Sequence, residues 1–140
     1  MTRSRPLLVA SDVPVVAGLG QVVDGDLAHA ASAPAFTGTG AAVLPGGRAR
    51  VVLSGAARFG RATVVARTDR GEPLLRRTVE VGADRAVAVP LPERAAAVAV
   101  TVTGTSLSGV VHLEGAGDAV LPLVRPAETG RVPAVRPAPR

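Results

Sequence analysis

The side chains able to carry chemistry are few and scattered. Ser, Asp and His are all present, yet no Gly-x-Ser-x-Gly elbow occurs, and nothing in the spacing links a Ser to His29 or His112. Both imidazoles read as structural: His29 in a loop, and His112 outward on a strand, where the wet face of a sheet accepts His. Asp24-Gly25-Asp26 offers the clustered oxygens a hard cation wants, but Leu27-Ala28-His29-Ala30 follows where further acidic ligands and a closing Glu would stand. A turn, with Asp bonding back to its own backbone, is the plainer reading. Asp69 with Glu72, and Asp84 with Glu93, read as turn carboxylates before they read as paired acid and base. Gly38-Thr39-Gly40 and Pro45-Gly46-Gly47 lack both the Gly-Lys-Ser/Thr ending and the following helix that would hold a phosphate. The sequence thus predicts no catalytic residue, no cofactor and no metal site.

Missing residue types narrow the choice further. The chain has no Cys, Trp, Tyr, Ile, Lys or Asn, which removes thiol nucleophiles, disulfides and Cys-based zinc sites together. With two Phe as its only aromatics, it lacks stacking platforms for single-stranded nucleic acid or sugars. All 16 basic residues are Arg, and a GC-rich coding bias accounts for Arg in place of Lys. The pI near 11.5 therefore overstates the case for nucleic acid, and the net charge of +5 is the better guide. The excess sits in residues 41–94 and in the tail from Arg125. Arg48, Arg50, Arg67 and Arg76 form the candidate contact set for an anionic partner. The plainer alternative is a solvated strand face on which Arg alternates with apolar residues.

The elements that must position these residues are strands. Hydrophobic residues make up 47% of the chain, enough for a core, and that core must be built from Val, Leu and Ala. Period-two alternation dominates, and nothing reads as a long amphipathic helix. Val98, Val100 and Val102 point one way, with Ala99, Thr101 and Thr103 opposite. The same pattern recurs in Arg48–Ser54, Ala62–Arg67, Leu74–Val81, Arg85–Leu91 and Gly109–Glu114. Turn signals separate the runs at residues 68–73, 82–84, 90–93, 104–106 and 114–118, where Gly, Pro and Asp concentrate. Short strands at this spacing predict an all-β fold, an antiparallel immunoglobulin-like β-sandwich, over residues 41–124.

Residues 1–40 differ. Val9–Gly18 offers two strand-like pieces around a Ser-Asp turn, a layout echoed by Val102–Val111 at an offset of 95. Either this is an internal repeat, making residues 1–40 the last strands of a preceding, similar β-domain, or two Val-rich hairpins look alike by chance. On the first reading the chain begins inside a domain, and an unpaired edge and apolar face need a partner. The apolar stretch after Arg3 and Arg5 is cut short by Asp12, too early for a signal peptide. No apolar run reaches the ~18 residues of a transmembrane span. Residues 125–140, rich in Pro and Arg, predict a disordered, extended tail.

Four runs carry a resemblance: Ala10–Gly18, Asp26–His29, Arg50–Leu53 and Thr78–Leu91. Together they resemble the C-terminal part of an uncharacterised family of secreted or membrane-anchored envelope proteins from high-GC Gram-positive bacteria. The resemblance spans roughly residues 7–126. The chain departs from it by starting late, by lacking the N-terminal signal or anchor, and by holding His29 where an aromatic is expected. It implies an extracellular or cell-envelope location and carries over no catalytic residue. The resulting expectation is a non-enzymatic structural or interaction module. Its partners would be anionic cell-wall or lipid material or other envelope proteins, with no specific nucleic acid. A small-ligand or carbohydrate-binding sandwich using Asp69, Glu72, Asp84 and His112 is the alternative. An enzyme of unrecognised type comes third.

Overall fold

The computed structural model describes residues 7–23, 26–55, 58–115 and 119–126. Nine strands follow one another: β1 (Gly18–Val23), β2 (Asp26–Ala31), β3 (Ala35–Val43), β4 (Arg48–Gly55), β5 (Gly60–Arg67), β6 (Pro73–Val81), β7 (Arg85–Leu91), β8 (Ala97–Glu114) and β9 (Ala119–Pro122). Every pairing between strands is antiparallel, and no helix occurs among the described residues.

The main sheet has seven strands, in the order β6-β5-β8-β4-β7 with β3 and β9 also on β8, and it is folded across its middle. β8 runs 18 residues without reversing. Its first half pairs with β5, from Arg61↔Thr103 to Arg67↔Ala97, and its second half with β4, from Arg48↔Glu114 to Ser54↔Ser108. β6 then lies on β5, and β7 on β4. The fold line crosses Gly55, Gly60, Gly82 and Gly104. At Gly104 the backbone takes φ +79°, a left-handed conformation that side chains resist. At Gly60 a Cβ would stand 2.5 Å from Thr105 Cγ2 and 2.9 Å from Leu107 Cδ2, so only glycine lets the halves close this tightly.

Both open sides are partly stitched. β3 lies along β8, with a register shift between Phe36 and Gly38, and Ala41 exchanges backbone hydrogen bonds with Val124 just beyond β9. A parallel bridge, Gly55↔Ala83, ties the other corner. The sheet thereby nearly closes into a barrel.

Alternation explains what lies inside. Ala49, Val51 and Leu53 of β4, Ala62, Val64 and Ala66 of β5, and Val98, Val100 and Val102 of β8 are buried. Beyond the bend the parity of β8 changes, and Leu107 and Val111 become the inward residues. No polar side chain is buried among the described residues. Leu44 and Ala95 close the end opposite the fold line, where Leu44 N–H donates to Ala96 O and Ala96 N–H to Arg67 O. On the outer face, Thr78, Thr63, Thr101 and Thr39 stand in register across four strands. Thr39 and Thr101 share a hydrogen bond of 3.0 Å, Thr63 and Thr78 one of 3.2 Å.

Four expectations are corrected here. Val98–Thr103 and Gly109–Glu114 are one strand, because Gly104–Ser106 bends the chain without turning it back. Gly82–Asp84, likewise, carries the chain from one half-sheet to the other rather than reversing it. Val9–Ala17 forms no strand: β1 starts at Gly18, and before it only Ala17 O joins the hydrogen bonding, accepting from Ser32 N–H at 3.2 Å, with Pro14 lacking a donor. His29 lies in β2, not in a loop.

β1 and β2 make a separate two-stranded sheet, in register from Gly18↔Ala31 to Val23↔Asp26, with β2 beside β9. The turn expected at Asp24–Gly25 and the tail beyond Pro126 lie outside the described residues. β3 spans the expected boundary at residue 40 and is part of the main sheet.

Candidate functional site

The outer face of β4 and of the second half of β8 gathers the most chemistry. Arg48 and Arg50, two residues apart, project from the same side of β4, while His112 and Glu114 do so from β8. Register places Arg50 opposite His112 and Arg48 opposite Glu114. These four side chains and Gly115 line an open depression of about 570 Å³.

Its polar contacts run through the inner nitrogens of the guanidinium groups. Arg50 Nε donates to His112 Nδ1 at 3.1 Å and lies 3.2 Å from Glu114 Oε1. With Nδ1 accepting, the ring of a neutral His112 carries its proton on Nε2. The 3.9 Å between His112 Nδ1 and Glu114 Oε1 is too long for a hydrogen bond. Arg48 Nε lies 3.5 Å from Glu93 in the β7–β8 turn. A carboxylate on Nε leaves the two Nη groups of a guanidinium for another partner, the edge that can take a phosphate or carboxylate in bidentate fashion. His112 is the most enclosed member, its side chain 18% exposed.

The other two candidate arginines lie elsewhere. Arg67 and Arg76 project from the outer face of β5 and β6, in the other half of the folded sheet. Arg67 Nη1 donates to Gly71 O at 2.8 Å, holding the β5–β6 turn, which Thr68 also braces through the Glu72 N–H. Arg61 pairs with Glu80 at 3.2 Å on the same face. The candidate set thus divides two and two.

The alternative set separates further. Asp69 and Glu72 occupy the turn before β6 and Asp84 the bend after it, so all of β6 stands between them, roughly 27 Å at ~3.3 Å per residue. His112 joins the arginines instead. Among the described residues, no three His, Asp or Glu side chains cluster as a metal ion would require. No helix there is long and apolar enough to cross a membrane.

Sequence reasoning named Arg48, Arg50 and His112 but set them in different hypotheses, and missed Glu114 and Glu93 as their partners. Alternation placed each side chain outward; only register joins residues 62 positions apart.

Neither a family model, nor a curated protein, nor a solved structure matches the chain.

Proposed function

We propose that this chain is a non-enzymatic interaction module of a bacterial cell-envelope or secreted protein, and that it holds anionic polymers through the depression lined by Arg48, Arg50 and His112. The observation carrying this reading is the register that sets two outward guanidinium groups and an imidazole around one opening. Solvent-exposed ion pairs such as Arg48–Glu93 contribute only ~0–1 kcal/mol to folding. The cluster is therefore not what holds the sheets together. Glu114 moderates the positive field, so the binding is weak per site and gains strength from a ligand with repeated charges.

The envelope location rests on the resemblance of residues 10–18, 26–29, 50–53 and 78–91. An immunoglobulin-like sandwich architecture for the main sheet, with β1 and β2 from a similar preceding domain, belongs to the same proposal. It draws support from β1–β2 forming a sheet of their own.

Retention of the full chain on an immobilised phosphodiester wall polymer tests the reading, with a neutral glucan as control. Retention should be strong in dilute buffer and fall as the Debye length shrinks toward ~8 Å at 0.15 M salt. An Arg48→Ala/Arg50→Ala double variant should lose it at least about tenfold, the equivalent of ~1.4 kcal/mol. An Arg67→Ala/Arg76→Ala variant should retain it. Equal retention on the glucan, or dependence on the second pair, would sink the assignment.

A further inference from the structure

A second surface has a different character. Beside the threonine row, on the outer face of β3, β5 and the first half of β8, lies an almost wholly apolar groove lined by Ala41, Val43, Val65, Ala97, Ala99 and Val124. Val43 is 80% exposed and Val124 58%. A sheet face meeting only water carries polar side chains, as the threonine row one step away does. The alanines leave a shallow floor that accepts branched side chains.

The same chain carries the matching surface. Residues 7–17 precede β1 without strand partners, and Leu7, Leu8, Val9, Val13, Val15 and Val16 are between 56% and 103% exposed. The segment does not lie in its own chain's groove, since all six of these side chains, and Val43 and Val124 of the groove, stay more than half exposed. Charge fits as well. The one ionisable side chain of residues 7–17 is Asp12, and the groove has Arg67 at its rim and Arg76 in register with Val65. Adjacent strands lie ~4.8 Å apart, so Arg76 stands about 10 Å from Ala99. With Val13 or Val15 over Ala99, Asp12 comes within reach of a long guanidinium side chain.

We propose that the segment 7–17 of one copy seats in the Ala/Val groove of a second copy, reciprocally, making a two-fold dimer. Aliphatic side chains fill the groove, and Asp12 pairs with the arginine rim.

Sedimentation of the full chain over a concentration series tests this, with far-ultraviolet dichroism to confirm that each variant keeps its strands. The unmodified chain should pass from monomer to dimer. Ala99→Arg, which fills the groove from an outward position, should remain monomeric, and so should Val15→Asp/Val16→Asp. Mixing the two variants should restore a one-to-one complex, because one has an intact groove and the other an intact arm. A chain that stays monomeric throughout overturns the proposal, as does a dimer indifferent to both variants. A monomer whose residues 7–17 are protected from hydrogen exchange until Ala99→Arg is introduced would place the arm in its own groove, which also overturns it.

Discussion

Arg50 and His112 face each other across β4 and β8, and the guanidinium Nε donates to the imidazole Nδ1 at 3.1 Å. One donor therefore serves both His112 and, 3.2 Å away, Glu114. The contact fixes the tautomer of the ring and the plane of the arginine at once, a preorganisation that shortens the entropic cost of meeting a charged ligand. It does so on a solvated face, where the same contact adds little to folding.

Function and stability should separate at this pair. His112→Ala removes the acceptor that orients Arg50, so retention on the phosphodiester polymer falls while urea unfolding shifts by less than ~1 kcal/mol. A loss of stability of several kcal/mol with retention unchanged would assign the pair to the fold instead.

The fold line makes a sharper demand. Gly60→Ala puts a methyl group against the side-chain methyls of Thr105 and Leu107, so both must turn away, and Leu107 is fully buried. Overpacking of this kind costs about 1–3 kcal/mol, to be read as a lower denaturant midpoint at unchanged slope. A midpoint equal to that of the unmodified chain would mean that the halves do not close as tightly as described.

Much of this architecture is legible in the residues. The alternation of Val98, Val100 and Val102, or of Ala49, Val51 and Leu53, marks the inward face, and each of these side chains is buried. What alternation cannot say is which strand lies alongside. Gly104-Thr105-Ser106 has the composition of a reversal and acts as a bend, because glycine permits φ +79° in either setting and the partners on both sides decide. Val9–Ala17 has strand composition and no strand, because propensity supplies no ladder. For the site, outward placement of Arg48, Arg50 and His112 follows from parity, whereas their meeting depends on a register that a one-residue slip would destroy.

Edge strand β6 carries its own safeguard. Arg77 occupies a position of inward parity, opposite buried Val64, yet is exposed at the rim of the sheet. A charge there hinders the pairing of β6 with a strand from another molecule. Arg77→Val should raise light scattering on concentration, through an association that Ala99→Arg does not remove. Scattering equal to that of the unmodified chain would leave the charge without this role.

The core itself is thin, and its few large side chains bear unequal weight. Leu53 and Leu107 are the largest fully buried residues, set among Val and Ala that cannot swing into a void. Leu107 also follows the bend of β8, touches the space above Gly60 and pairs with Phe36 of β3. Truncation of a buried Leu to Ala costs about 2–5 kcal/mol, rising with the volume left unfilled. Leu107→Ala should fall toward the upper end, since Leu107 is fully buried and fills the space against Gly60 where the two halves meet. Val111→Ala removes less volume farther from that line and should cost less. Paired denaturant titrations measure both, and a Leu107→Ala loss no greater than that of Val111→Ala would show the bend to be pliable rather than set by packing.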